Sequence, residues 1–239
     1  MLVLGLDTAT WLTSVGLMRD GRVLAEESRQ VRTGHTDILL PLVHQLVSRA
    51  GVGLSELDGI GVSIGPGSFS GLRVGLSTAK GLCYALGLGL VGVSTLEALA
   101  TTVDGWQGRL CALLDARRKE VYAAVFTRDQ HRGLRRLSPD MVMAPDELWP
   151  HITPPCLFIG DGAEAYQELI RDRYGDAARF VPWADCHSSG VAVARLALSR
   201  LRAGESDDAA TLVPRYVRLS EAERKRRQAR SAPSGPAKP

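Results

Sequence analysis

The chain of 239 residues is 45% hydrophobic and carries a formal net charge of +3, a length that supports two small lobes sharing an interface. No run of about 18 uncharged apolar residues occurs, which argues against a membrane-spanning helix. The four cysteines, Cys83, Cys111, Cys156 and Cys186, form no CxxC pair, which argues against a zinc knuckle or disulfide framework and fits a reducing cytoplasm. The charge is uneven: from Glu221 onward six basic residues (Arg224, Lys225, Arg226, Arg227, Arg230, Lys238) meet two acids (Glu221, Glu223), a surplus of four that leaves the rest of the chain at −1.

The apolar run Leu2 to Leu6, ending on Asp7, reads as a first strand and not as a signal peptide, because no basic leader precedes it. Strands over Thr13 to Met18 and Val23 to Val31 follow, joined at Asp20-Gly21, where glycine supplies the positive φ of a tight turn. Thr36 or Asp37 is expected to cap a helix to about Ala50, with Leu39, Leu42, Val43 and Leu46 at helical spacing. Ile38, Leu40 and Val47 lie off that stripe, so the helix is apolar around much of its girth, as a helix packed on two sides requires.

A strand over Asp58 to Ile64 leads through Gly65-Pro66-Gly67-Ser68-Phe69-Ser70-Gly71 into a helix from Leu72 to Leu86, with Ser70 the expected cap. Strand Leu90 to Val93 and a helix from Ser94 to about Val103 complete a βββαβαβα order. The second half restarts with strands Arg109 to Asp115 and Glu120 to Phe126. It adds a strand at Leu157 to Ile159 and helices over Ala163 to Arg173 and Ser189 to Arg202. The repeated order predicts two related α/β lobes, residues 1–103 and 104–219. Residues 220–239, rich in Arg, Lys, Ala, Pro and Ser, read as a disordered basic tail.

Two segments carry ligand-binding patterns. The loop Gly65 to Gly71 sits between strand and helix, where close backbone approach and free N–H groups attract anions. It lacks the Gly-Lys-Ser/Thr of a Walker loop and misses GxGxxG by one residue, so a tight turn explains it as well. Asp7 in Asp7-Thr8-Ala9-Thr10 suits either a metal–phosphate or the N–H groups of its own turn.

Taken in order, Gly5-Leu6-Asp7-Thr8-Ala9-Thr10, Gly34-His35-Thr36-Asp37, Gly65 through Lys80, Val93-Ser94-Thr95-Leu96-Glu97-Ala98-Leu99 and Asp115-Ala116-Arg117-Arg118-Lys119-Glu120-Val121-Tyr122 resemble the bacterial TsaB family. That family is the accessory, dimerization subunit of N6-threonylcarbamoyladenosine synthesis on tRNA. The resemblance is strong over residues 1–126 and continues weakly through Gly160-Asp161-Gly162-Ala163 to Pro214-Arg215-Tyr216-Val217-Arg218. It implies a two-lobed, actin-like or sugar-kinase-like α/β fold, a cytoplasmic location, and pairing with a catalytic sister of the same fold, TsaD.

The sister family carries His-x-x-x-His on the helix after its glycine-rich segment, and i, i+4 imidazoles share a helix face and can hold one metal ion. The matching positions here are Thr95 and Leu99, and the five histidines (His35, His44, His131, His151, His187) supply no pair at i, i+3 or i+4. The sister's Gly-Gly phosphate turn is replaced by Asp115-Ala116-Arg117-Arg118-Lys119, whose Cβ atoms obstruct close backbone approach. Asp7, Thr8, Gly65, Gly67, Gly160 and Gly162 are then the residues of a vestigial nucleotide pocket.

No catalytic residue or metal ligand is assigned, and no cofactor is expected on this chain. ATP and metal ion are expected in partner subunits. Partner-binding residues are expected on two helices: Leu39, Leu42, Val43 and Leu46, with Leu72, Gly75, Leu76 and Ala79. The expected partners are the TsaD-like subunit, a TsaE-like ATPase, tRNA indirectly through the complex, and a second copy of the chain when it is alone. The rival reading is an ATP-dependent kinase-like or metallopeptidase-like enzyme of the same fold.

Overall fold

The computed structural model describes residues 1–31, 34–131 and 133–218; the basic tail from Glu221 lies outside them. Among the described residues no helix is long and apolar enough to cross a membrane.

The first sheet comprises β1 (Leu2–Asp7), β2 (Leu12–Arg19), β3 (Arg22–Gln30), β4 (Gly59–Gly65) and β5 (Gly89–Ser94), in the order β3-β2-β1-β4-β5. The meander β1–β2–β3 is antiparallel, whereas β4 pairs parallel with β1 and β5 parallel with β4. The second sheet repeats this plan. It contains β6 (Gly108–Asp115), β7 (Val121–Asp129), β8 (Gly133–Arg136), β9 (Met141–Met143), β10 (Cys156–Ile159) and β11 (Ala178–Phe180). Its order is β11-β10-β6-β7-β8, with β9 also on β7, antiparallel from β6 to β7 and parallel from β6 to β10 and β11. Strands β8, β9 and β11 are three or four residues long, too short to leave an alternation in the sequence.

Strand alternation decides which face each helix covers. Leu2, Leu4, Leu6, Val15, Leu17, Ile60 and Val62 form one core with α1 (His35–Ala50) and α2 (Phe69–Leu86). On the opposite face, Val3, Met18, Val91 and Val93 meet α6 (Gly190–Arg202). Glycine lines that opposite face: a Cβ at Gly5 would lie 1.9 Å from the Gly190 carbonyl oxygen, and one at Gly61 2.6 Å from Ala197 Cβ. The short helix α3 (Thr95–Thr101) packs instead with Leu110, Ala112, Leu114 and Phe126 of the second sheet. α4 (Asp161–Ala165) and α5 (Gln167–Tyr174) cover its other face.

Several expectations are corrected here. The lobes are not the contiguous spans 1–103 and 104–219, because α6 and the segment after it dock on the first sheet: Asp207 N–H donates to Leu90 and Arg215 N–H to Ile64. The helix expected over Ala163 to Arg173 is broken at Tyr166. Helix α1 starts after Gly34 with no side-chain cap, and α2 is capped by Ser68, whose oxygen accepts the Gly71 N–H, and not by Ser70.

Candidate functional site

A cleft of about 310 Å³ opens between the lobes, lined by the β1–β2 turn, the start of α1, the glycine loop and the β6–β7 hairpin. Trp11 and Tyr122 contribute aromatic surface, and His35, Ser68, Asp115, Arg117 and Asp161 contribute polar groups. The His35 ring contacts the Thr13 hydroxyl through Nδ1 at 2.7 Å, and burial lowers its pKa, favouring the neutral ring. The Asp161 carboxyl is pushed up to about 6, first by burial and further by the neighbouring Asp115, although it accepts the Asp115 N–H at 2.9 Å.

Of the six residues expected to form a nucleotide pocket, only Gly67 lines this cleft. Asp7 is fully buried, and its oxygens accept the Ala9 N–H at 2.9 Å and the Ser188 hydroxyl. Burial outweighs those bonds and raises its pKa. Thr8 donates to the Gly71 carbonyl at 2.7 Å inside the first lobe. A Cβ at Gly65 would meet the Arg215 carbonyl oxygen at 2.6 Å, one at Gly160 the Leu113 oxygen at 2.0 Å, and one at Gly162 the Leu114 carbonyl carbon at 2.8 Å. These glycines therefore make room for the protein's own backbone.

Several amides of the two turns are engaged within the chain. At the first turn Ala9 N–H goes to Asp7, Ser68 N–H to the Ala9 carbonyl at 2.7 Å, and Gly71 N–H to Ser68 Oγ at 3.3 Å. Across the cleft Asp115 N–H goes to Asp161, Ala116 N–H to the Glu120 carbonyl at 3.0 Å, and Arg117 N–H to Asp115 at 2.8 Å. A phosphate in the cleft would face the Asp115 and Asp161 carboxyls together with the Arg117 guanidinium. On α3, Thr95 and Leu99 are fully buried, and Leu99 belongs to the second sheet's core. Among the described residues no group of three His, Cys, Asp or Glu side chains could hold a metal ion.

The helix residues expected to bind a partner are also placed inward. Leu39, Leu42, Val43, Leu46, Leu76 and Ala79 are core side chains of the first lobe, Leu72 is 0% exposed, and a Cβ at Gly75 would strike Thr8 Oγ1 at 2.3 Å. Of the three apolar residues off the α1 stripe, Val47 is buried too, leaving Leu40 52% exposed. The outward face is carried by Leu40, Pro41, His44 and Ser48 of α1 and by Arg73, Ser77, Gly81 and Tyr84 of α2. Tyr84 is 93% exposed. Taking the more continuous apolar stripe as the inward one would have found this face, because a lobe fills its own core first.

Two matched sheets, exchanged helices and a cleft between them define the actin-like class. The dehydratase component A of Acidaminococcus fermentans shares this fold at a TM-score of 0.50 and 10% identity, with 86% of this chain and 100% of that one covered. Within the class, the profile "TsaD: tRNA N6-adenosine threonylcarbamoyltransferase" matches residues 28–226. The chain is 32% identical to the tRNA threonylcarbamoyladenosine biosynthesis protein TsaB of Bacillus subtilis, over 94% of this chain and 97% of that protein. It is 33% identical to TsaB of Escherichia coli, over 72% and 76%. A Pseudomonas aeruginosa structure with similarity to peptidase YeaZ superposes at a TM-score of 0.77 with 29% identity, over 91% and 99%. The chain belongs to the TsaB family of tRNA threonylcarbamoyladenosine biosynthesis proteins.

Proposed function

We propose that this chain is a non-catalytic subunit of the assembly that transfers threonylcarbamoyl to the tRNA adenosine next to the anticodon, with the chemistry carried by a TsaD-like sister. The observation that carries the reading is the cleft. Asp115 and Asp161 stand among its walls, and the N–H groups of Ala9, Gly71, Asp115 and Arg117 are bonded within the chain. A kinase-like or peptidase-like site needs phosphate donors, a metal set or an activated nucleophile, and no observation favours that rival.

The contact with the sister falls on the outward faces of α1 and α2, where Leu40 and Tyr84 expose apolar surface of the kind that anchors interfaces. The same face serves a second copy when the chain is alone. ATP and metal ion belong to the sister and to a TsaE-like ATPase, and the subunit acts in the cytoplasm.

The deciding experiment reconstitutes modification with sister, ATPase, donor-forming enzyme, threonine, bicarbonate and ATP, with and without this chain. Modified adenosine is expected only when the chain is present, and its yield is expected to survive Asp161→Asn. Equal yield without the chain overturns the subunit role, and loss of yield in an assembled Asp161→Asn complex overturns the non-catalytic role. Leu40→Glu with Tyr84→Glu is expected to leave a folded chain that no longer co-elutes with the sister.

A further inference from the structure

We propose that the tip of the β6–β7 hairpin, Arg117-Arg118-Lys119, is a direct contact for the phosphate backbone of RNA. The proposal rests on the reading above that the chain serves a tRNA-modifying assembly. The tip is unusual in its backbone. Its three residues have φ of 61°, 58° and 63°, successive positions in the left-handed region where a Cβ crowds the adjoining carbonyl. Elsewhere the chain meets this demand with glycine, at Gly21, Gly51, Gly87, Gly105, Gly133 and Gly204 among others. Apart from the tip, only Asp20 among the described residues has a positive φ without being glycine.

A hairpin does not need these side chains in order to close. Its closure comes from the Ala116–Glu120 and Glu120–Arg117 backbone bonds, at 3.0 and 3.1 Å, and glycine or asparagine would meet the turn at lower steric cost. Three long cations occupy the costly conformation, all exposed; the Arg117 side chain is 80% accessible, with its guanidinium 3.1 Å from Asp115. Strain kept at a loop tip points to function.

The form of the patch indicates the ligand. An open tip gives a single phosphate little, because exposed ion pairs are screened. A polyanion engages several cations at once and releases condensed counterions at each. The cleft behind the tip carries Asp115 and Asp161, so an anion is held on the outside and not drawn in. Arg218 donates to the Ala116 carbonyl at 2.7 Å and pairs with Glu120. The basic residues Arg224 to Arg227 follow it closely in sequence.

The test is anisotropy titration of a labelled, unmodified tRNA transcript with the full chain, alone and in complex with the sister, from about 50 to 200 mM salt. Arg118→Gly with Lys119→Gly suits the local φ and removes two charges. It is expected to weaken binding by about tenfold and to reduce the slope of log K against log salt by about 1–2. Arg118→Lys with Lys119→Arg is expected to restore both. An unchanged slope and affinity in the folded glycine variant overturns the proposal. Co-elution of wild-type chain and sister is scored separately, so failure of the subunit reading shows there while the chain-alone titration still reads the hairpin.

Discussion

The β1–β2 and β6–β7 turns hold matching places in the two repeats, and each opens on an aspartate that accepts the N–H two residues on, Ala9 for Asp7 and Arg117 for Asp115. They differ in what surrounds that shared device. At the first turn the second carboxylate oxygen meets Ser188 in a closed interior. At the second it meets the Arg117 guanidinium at 3.1 Å in a side chain that remains 20% exposed, and Arg117, Arg118 and Lys119 lie exposed at the hairpin tip. One turn has become a strut of the core, and the other a presented surface. The same local bond therefore carries no function by itself; burial of its neighbours assigns it one.

Four substitutions probe that contrast. Asp7→Ala strands buried donors at Ala9 and Ser188 and is expected to cost about 2–4 kcal/mol in urea unfolding; a loss under about 1 kcal/mol would remove the strut. Asp161 titrates near 6 when folded, against 3.8 as the ordinary value. The folded state therefore holds a proton that the unfolded chain has released, and stability falls as pH rises across that window. Asp161→Asn is expected to flatten this fall and to gain about 1–3 kcal/mol above pH 6, read from urea midpoints across the window. Arg118→Gly with Lys119→Gly relieves two left-handed side chains and is expected to raise stability by about 1 kcal/mol, after allowance for glycine's unfolded-state entropy. A lower melting temperature would contradict the strain. Asp115→Ala, at the presented turn, is expected to cost only about 0.5–1 kcal/mol, and a cost equal to that of Asp7→Ala would erase the distinction.

Much of the fold was legible in the sequence. The alternation in β1, β2 and β4 and the stripes of α1 and α2 followed from periods of 2 and 3.6, and the repeated strand order anticipated two sheets of one topology. The placement of α6 was not foreseen, since its partner face is built from glycines at positions 5, 16, 59 and 61, which carry no hydrophobic signal. The cleft was only partly visible. Asp115 and the glycine loop were noticed, but Trp11, His35, Tyr122 and Asp161 reach it from separate elements. Leu39 and Val43, expected at a partner, pack instead in the first lobe's own core, because a stripe shows where a helix packs without saying against what. The left-handed run at Arg117 to Lys119 had no composition cue, since long basic residues are not those that favour positive φ.

The exchange of helices between the lobes has a consequence for biosynthesis. β1 to β5 are complete by Ser94, yet the helix that covers one face of their sheet ends at Arg202. As the chain leaves the ribosome from its N-terminus, the first lobe stays half-clothed until the whole second lobe has been made. The glycine-lined face stays exposed to water throughout that interval. A fragment stopped after residue 103 lacks that cover, so the first lobe is expected to complete its folding only after most of the chain has been translated.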